Sequence, residues 1–297
     1  MSKQFPRIKE FLYFIQERQR IHEKRLAGVP PPWTKDEILH TYRFTNVQRR
    51  DDRVTRWLHT NWLAPHEKYY DTIVFAMALA RLVNLPSMLE VLGYPKTWNA
   101  ARFVKLMDER RESGQCAYNN AYMVNAVGAT KGQSKAGYLA ESVLEPLWRE
   151  RKRLGEVLRT ARTLQELFDE LMQFHGFGGG FMSGQVIADV KYTAAGKKKT
   201  DWWTFAVSGP GSRRGMHWLC GTESFVGRNG QYINSAYSDE AWRANLLTLC
   251  GIVAEQTGWK LEASDVQNVL CEFSKYCKVK YLERRAKQNF TPSKETY

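Results

Sequence analysis

The sequence predicts a fold that is all-α or nearly so. Most segments place apolar residues at helical spacing, Gly and Pro stand where those segments end, and no series of alternating stretches typical of β-hairpins is present. Residues 5–26 illustrate the pattern, with Phe5, Ile8, Phe11 and Ile15 on one face. A run of prolines follows, and it cannot continue the helix.

Other segments repeat this logic along the chain. Residues 69–92 are the most apolar stretch and should lie in the core. Thr34 with Glu37, and Thr163 with Glu166, have the spacing of capping boxes, in which a hydroxyl and a carboxylate satisfy backbone N–H groups at a helix start. These signals predict helices that begin close to Thr34 and Thr163.

The length bounds the domain organisation. A chain of 297 residues can bury a full hydrophobic core. We expect one helical domain over residues 1–287, or two intimate lobes within it, with the candidate site at residues 163–215. The polar tail at residues 288–297 should be disordered.

The charge of the chain points to a polyanionic partner. The formal net charge is +13, and aromatic residues make up 13% of the sequence, including 10 Trp. Cationic side chains neutralise phosphates, and aromatic rings stack on bases. We therefore expect double-stranded DNA as the partner.

The cysteines and the hydropathy argue against a disulfide-rich protein, an iron–sulfur protein and a membrane protein. The five cysteines are scattered and contain no CxxC pair, so we expect no disulfide framework, no iron–sulfur cluster, no other metal site and no cofactor. No apolar run is long enough to cross a bilayer. These observations favour a cytoplasmic protein that acts as a monomer and has no membrane partner.

The most unusual stretch is HGFGGGFMSGQVIADVKY, which begins at His175. Gly176, Gly178 and Gly180 can adopt positive φ and bring no Cβ between the backbone and a ligand. The residues that follow have the pattern of a helix with a buried face. Backbone N–H groups at such a turn can hold a phosphate without reading a base, so these glycines are predicted to bind the DNA backbone.

A basic and aromatic segment follows this helix. Asp201 is a lone acid beside bulky aromatic rings, and it is the candidate catalytic residue. Lysines precede it, and a GPGSRRG segment with paired arginines comes shortly afterwards. The predicted contacts to the DNA backbone are Lys197, Lys198, Lys199, Ser212, Arg213 and Arg214. The predicted aromatic walls of a base pocket are Trp202 and Trp203.

Amide and phenol side chains complete the predicted base pocket. Asn46 lies at the end of an aromatic approach, within a run of arginines and aspartates that could equally form an exposed helix. Asn119 and Tyr122 lie in a stretch rich in small and amide residues, where they could instead be turn and cap residues. An amide suits a base edge because it offers a donor beside an acceptor.

The order of glycine hairpin, helix, spacer and Asp resembles that of the helix-hairpin-helix DNA glycosylases. The 23 positions from Gly178 to Asp201 fit that order. The resemblance implies a helix-hairpin-helix DNA-glycosylase-like helical fold in which the hairpin grips DNA and Asp201 assists loss of a base. Phe181 and Met182 stand where bifunctional members carry a lysine, so no lyase step is implied.

Three segments together resemble a second family over residues 5 to 285. They are PPWTKDEILHTYRFTNVQRRDDRVTRWL, HGFGGGFMSGQVIADVKYT and GPGSRRG. The family comprises helical proteins of phage thymine hypermodification, including the helical domain of 5-hydroxymethyl-deoxyuridine DNA kinases and the α-glutamyl/putrescinyl thymine pyrophosphorylases. It is related to the glycosylases, and some relatives are thought to excise phage-modified bases as a defence. The resemblance implies a base-flipping DNA enzyme that handles modified pyrimidines.

Three functions follow from these observations. The first is a monofunctional glycosylase that excises a modified pyrimidine, with Asp201 stabilising the developing positive charge on the sugar. The second is a transferase that replaces pyrophosphate on the thymine methyl carbon with an amino acid or polyamine; Arg213 and Arg214 would then bind the pyrophosphate and Asp201 would accept a proton. The third is a non-catalytic module that binds modified DNA. We expect the first. A stand-alone kinase is not expected, because the sequence carries no GxxxxGK followed by Ser or Thr.

Overall fold

The structure is a computed structural model that describes residues 4–119, 132–221, 238–286 and 288–290. Helices dominate these ranges, and they contain no β-strand beyond an antiparallel bridge between Tyr42 and Asn289. The prediction of an all-α protein is therefore confirmed. Tyr122 and the end of the predicted disordered tail lie outside the described residues. No helix in the described ranges is long and apolar enough to span a membrane.

The chain divides into two compact units. The first unit combines the two ends of the chain, Met1–Asp52 and Ala206–Tyr297, and the second is the continuous stretch Arg53–Phe205. Each unit has its own buried core.

The first unit is built on long helices from both ends of the chain. Phe11 and Phe14 of its first helix pack against Phe273 of its last, with ring centroids 5.2 and 5.9 Å apart. Trp242 is also buried in this core. The helices of this unit are α1 (Ile8–Leu26), α2 (Glu37–Thr41), α12 (Pro210–Leu219), α13 (Asp239–Thr257) and α14 (Ala263–Leu282), with a 3₁₀ turn at Arg49–Asp51.

The second unit surrounds one largely apolar helix, α4 (Tyr70–Val83), in which every residue from Ile73 to Val83 is buried, including Arg81. In the part of this unit that the structure describes, two π-helical turns interrupt the helices, at His59–Leu63 and Leu139–Leu144. The other helices are α3 (Arg53–Leu58), α5 (Pro86–Leu92), α6 (Ala100–Glu112), α7 (Lys135–Tyr138), α8 (Glu145–Arg149), α9 (Arg151–Thr160), α10 (Leu164–Met172) and α11 (Phe181–Val190). Short 3₁₀ turns lie at Ala64–His66 and Gly196–Lys198.

Two glycines allow helices to approach closely. A Cβ built on Gly155 of α9 would lie 2.1 Å from the carbonyl oxygen of Tyr70, at the start of α4. A Cβ built on Gly215 of α12 would lie 2.0 Å from the carbonyl oxygen of Leu270 in α14. Both neighbouring atoms belong to the backbone, so any side chain at these positions would force the helices apart.

The two predicted capping boxes have different outcomes. At α10 the Thr163 hydroxyl accepts a hydrogen bond from the Glu166 backbone N–H, and the Glu166 carboxylate accepts one from the Thr163 N–H, so the box is confirmed. At α2 the prediction was wrong, because Asp36 is the N-cap and accepts from the backbone of Leu39. The Thr34 hydroxyl instead donates to Glu17 of α1 at 2.6 Å.

The beginning of the predicted tail contacts the end of α2 and the residues just after it. The backbone N–H of Arg43 donates to the Gln288 carbonyl at 3.1 Å, and the Phe290 N–H donates to the Thr41 carbonyl at 2.8 Å. The Phe290 ring lies 5.9 Å from that of Trp33. Residues 288–290 therefore lie alongside the C-terminal end of α2.

Gly215→Ala tests the helix contact in the first unit. The new methyl group meets backbone rather than a flexible side chain, so the free energy of unfolding should fall by about 1–3 kcal/mol. Gly251→Ala in α13 is the matched control, because its Cβ would meet nothing within 4 Å. The control should be neutral or stabilising by up to about 1 kcal/mol. Urea unfolding of both variants makes the comparison, and equal effects would contradict the close approach.

Candidate functional site

The glycine-rich segment joins two helices in the second unit. Gly176 has φ 83°, and Gly180 has φ 76° as the N-cap of α11. Phe177 is fully buried between them, and its carbonyl accepts a hydrogen bond from the Ser183 hydroxyl at 3.1 Å. At Gly178 a Cβ would lie 3.2 Å from the Met172 carbonyl oxygen. The chain thus forms a helix, a tight glycine turn and a second helix, while the grip of this turn on a DNA backbone stays a prediction.

Asp201 lies against the start of α10. Its two carboxylate oxygens accept hydrogen bonds from the backbone N–H groups of Leu164 at 2.7 Å and Gln165 at 3.1 Å. These N–H groups have no partner within the helix, and a negative charge beside them is favourable. Asp201 therefore has a structural task in capping α10, and its catalytic role stays a prediction.

The three lysines before Asp201 differ in their environment. Lys197 and Lys198 are exposed and remain candidates for phosphate contact. Lys199 is buried, and its ammonium group donates a hydrogen bond to the carbonyl of Ala161 at the end of α9. Burial lowers the pKa of Lys199. Its ammonium group is used inside the protein, and contact of Lys199 with DNA stays a prediction.

Trp202 and Trp203 also differ in their environment, since the first is held within the fold and the second is exposed. The Trp202 indole donates from Nε1 to the Lys191 carbonyl at 2.8 Å, while Lys191 Nζ donates to the Trp202 carbonyl at 2.8 Å. The same ammonium lies 4.2 Å from the centre of the Trp202 ring. Trp203 is 43% exposed and packs edge-on against Trp202. Only Trp203 offers much of its ring to solvent.

A buried ion pair crosses the centre of this unit. Arg81 of α4 donates from Nε and Nη2 to the two carboxylate oxygens of Asp189 in α11, both at 2.6 Å. Arg81 is 1% exposed and Asp189 is fully buried. The Thr55 hydroxyl accepts a further hydrogen bond from Arg81 Nη2 at 3.0 Å. This bidentate geometry holds the carboxylate in one orientation.

A histidine, His59, lies beside the ion pair of Arg81 and Asp189 at its solvent side, and these three residues are called the array below. His59 Nε2 lies 3.3 Å from Asp189 Oδ1, and 22% of the His59 side chain is exposed. His59 begins a π-helical turn, a local geometry that is frequent at functional sites. Its Nδ1 takes no hydrogen bond from any residue within the described ranges. A carboxylate that orients one imidazole nitrogen leaves the other able to exchange a proton.

Aromatic rings extend from this histidine. The His59 and Tyr192 rings have centroids 5.0 Å apart, and Tyr192 meets Trp202 at 5.6 Å with perpendicular planes. Trp203 continues the row at 4.7 Å from Trp202. The second unit therefore places an imidazole at one end of an aromatic row whose other end is exposed.

The predicted site residues of the first unit are largely committed to the fold. Asn46 accepts at Oδ1 from Arg18 Nη2 at 2.5 Å and donates from Nδ2 to the Asp51 carbonyl at 2.8 Å. Both ends of its amide are therefore used internally, and its role in reading a base edge stays a prediction. Ser212 is fully buried, and its hydroxyl donates to the Gly209 carbonyl at 3.0 Å.

The paired arginines and Asn119 have different surroundings. Arg213 forms an ion pair with Asp239 and donates from Nε to the Ser208 hydroxyl at 2.6 Å. Arg214 is partly buried and makes no side-chain hydrogen bond with any residue in the described ranges. Asn119, in the second unit, donates from its backbone N–H to the Val83 carbonyl at 3.1 Å. Phosphate contact by the arginines and base contact by Asn119 stay predictions.

The comparisons identify the class to which this all-helical architecture belongs. Residues 6–285 match the family described as the 5-hmdU DNA kinase helical domain, so the chain belongs to that family. The resemblance drawn from the three sequence segments is thereby confirmed. No solved structure gives a significant match to the chain.

The chain is also similar in sequence to the 5-hmdU DNA kinase of Bacillus phage SP10. It is 28% identical over 290 residues, which cover 89% of this chain and 44% of the relative. The chain thus spans less than half the length of this relative. A kinase transfers phosphate and leaves the bond between base and sugar intact, so the prediction of a DNA glycosylase, a hydrolase of that bond, is wrong.

Asp189→Asn tests the buried array. Removing the negative charge leaves Arg81 buried without compensation, so the free energy of unfolding should fall by about 3–5 kcal/mol. Arg153→Gln is the control, since this arginine pairs with Glu150 and Glu170 on the surface. Its effect should stay within about 1 kcal/mol. Urea unfolding measures both, and similar losses would show that the buried pair has no special weight.

Proposed function

We propose that this protein is a DNA-modifying transferase. Its substrate is 5-pyrophosphoryloxymethyl-deoxyuridine in DNA, on which it replaces the pyrophosphate with the amine of an amino acid or a polyamine. The observation that carries the proposal is the array of Arg81, Asp189 and His59, because such a substitution needs a group that accepts a proton from the amine.

Family membership supports a reaction on the substituent of the base. The matching family and the SP10 relative are named for 5-hydroxymethyl-deoxyuridine in DNA, whose reactive group is the oxygen on the methyl carbon. Phosphorylation of that oxygen turns it into a leaving group. The sequence has no P-loop signature to cradle a nucleotide triphosphate, so the step assigned here comes after phosphorylation.

The bond changes are those of a substitution at the methyl carbon. The lone pair of the amine nitrogen forms a bond to that carbon, and the carbon–oxygen bond breaks with its electron pair going to the pyrophosphate. The attacking nitrogen then carries an extra proton, which His59 accepts through Nδ1. Asp189 stabilises the imidazolium that forms, since its buried carboxylate is already 3.3 Å from Nε2.

Other residues of the second unit have supporting roles in this proposal. Trp203 offers an exposed ring on which a base can stack. Lys197 and Lys198 are exposed cations that can contact phosphates, and the turn at Gly176 and Gly180 lets the backbone approach a DNA strand. These residues bind the substrate, whereas His59 acts on the reacting atoms.

The transferase test uses duplexes that carry 5-pyrophosphoryloxymethyl-deoxyuridine, incubated with putrescine or glutamate. Mass spectrometry of the digested nucleosides should show pyrophosphate replaced by the amine. His59→Gln should lower kcat by about 100-fold or more, the lower range for loss of a positioned acid or base. His66→Gln is the matched control, because His66 stacks on Tyr94 at 3.7 Å and bonds to the Trp62 carbonyl, away from Asp189. Its kcat should stay near that of the wild type.

Asp201→Asn separates the two candidate proton acceptors. An asparagine keeps one oxygen that can accept from the start of α10, so the variant should fold and retain most of its activity if His59 is the base. Loss of kcat in Asp201→Asn with normal activity in His59→Gln would contradict the assignment. DNA binding without any amine transfer in the wild type would instead favour a non-catalytic module for modified DNA.

A further inference from the structure

The first unit contains a cavity that the proposed function does not use. Its volume is about 140 Å³. Arg18, Ile21, Leu39 and Phe44 line it and are buried, whereas His40, which also lines it, is exposed. The cavity is therefore a cleft with a buried floor and an opening to solvent.

Arg18 lies on the floor and has an unused donor. The residue is 6% exposed, and its Nη2 donates to the Phe44 carbonyl at 3.3 Å and to Asn46 Oδ1 at 2.5 Å. Its Nη1 is buried and has no hydrogen-bond partner among the described residues. A buried donor without an acceptor is unfavourable, so a ligand acceptor here would stabilise the complex.

A second guanidinium stands near the first. Arg25 is partly buried and lies 5.3 Å from the Trp33 ring centre and 5.2 Å from that of Phe290. Burial, followed by the charge of Arg25, lowers the pKa of Arg18 to about 10, and Glu272 acts in the opposite direction. Burial, followed by the charge of Arg43, lowers the pKa of Arg25. In the described part of the chain, the lining of the cleft contains these two arginines and no carboxylate, which favours an anionic ligand.

The walls of the cleft select a flat ring. Trp33, Tyr42, Phe44 and Phe290 line it with aromatic surface, on which bases stack. An apolar cavity of about 150 Å³ admits a benzene molecule, so this volume holds one six-membered ring. A purine has two fused rings and would fit less well.

We propose that this cleft binds a pyrimidine nucleotide. The ring enters between the aromatic walls, Arg18 Nη1 donates to a ring carbonyl, and Arg25 binds the phosphate near the opening. The ligand is either a free nucleotide or a nucleotide turned out of a DNA strand, which present the same ring and phosphate. The inference does not rest on the transferase reaction, because binding here requires no turnover.

Calorimetric titration of the full chain tests the site with deoxyuridine, its 5′-monophosphate, deoxyadenosine 5′-monophosphate and inorganic phosphate. The pyrimidine monophosphate should bind most tightly. Arg25→Gln should weaken its binding at least about tenfold and remove the advantage over deoxyuridine. Arg18→Gln should weaken both pyrimidine ligands, because the ring contact is lost.

Arg20→Gln is the matched control on the same helix. Arg20 is 58% exposed at its side chain and pairs with Glu17 at 3.0 Å, so affinity should not change. Urea unfolding establishes that the variants fold; if Arg18→Gln does not, Arg25→Gln still tests the phosphate contact. No binding by the wild type, equal binding of inorganic phosphate, or equal losses in Arg20→Gln would overturn the proposal.

Competition by DNA identifies the source of the nucleotide. The competitor is a duplex without terminal phosphates that carries one 5-hydroxymethyl-deoxyuridine. Displacement of the bound monophosphate by this duplex assigns the cleft to a nucleotide turned out of a strand. Retention of the monophosphate at saturating duplex assigns it to a free nucleotide, and both results support the site. Failure of amine transfer alongside normal nucleotide binding would affect only the proposed function.

Discussion

The ion pair between Arg81 and Asp189 is the constraint on which the second unit depends. It joins the most apolar helix, α4, to the helix that follows the glycine turn, and both side chains are almost completely buried. Two charges without water are tolerated only when each is fully matched. Three features therefore depend on the position of the Asp189 carboxylate. They are the packing of α4 and α11, the orientation of the glycine turn and the hydrogen bond to His59.

The same principle explains why several predicted DNA contacts are internal. Polar groups at helix ends need hydrogen-bond partners. The segment after the glycine turn, which the sequence assigns to the functional site, supplies them. Asp201 accepts from the start of α10, and Lys199 donates to the end of α9. A cation beside helix carbonyls and an anion beside helix N–H groups are each favourable. The basic and acidic residues after the glycine turn thus hold a corner of the fold together.

The sequence predicts local features well and long-range partners poorly. Periodicity and caps identify the helices, including the start of α10, because these depend on residues a few positions apart. The motif segments also identify the family. The partnership of His59 with Asp189 joins residues 130 positions apart, and neither residue has a distinctive local pattern. Asn46 shows the same limit, since its sequence neighbours do not indicate that Arg18 and Asp51 bind the two ends of its amide.

The π-helical turn at His59–Leu63 has an evolutionary consequence. Such a turn accommodates one more residue than an α-helix of the same length. Deleting a single residue after His59 in this turn would restore regular winding and rotate the imidazole by about 100° relative to the residues that follow, away from Asp189. The helix would survive, and the ion pair between Arg81 and Asp189, which joins two other helices, would remain, yet the carboxylate would lose its histidine. Loss of one codon in this turn would thus separate His59 from Asp189 without removing any residue that forms the buried ion pair.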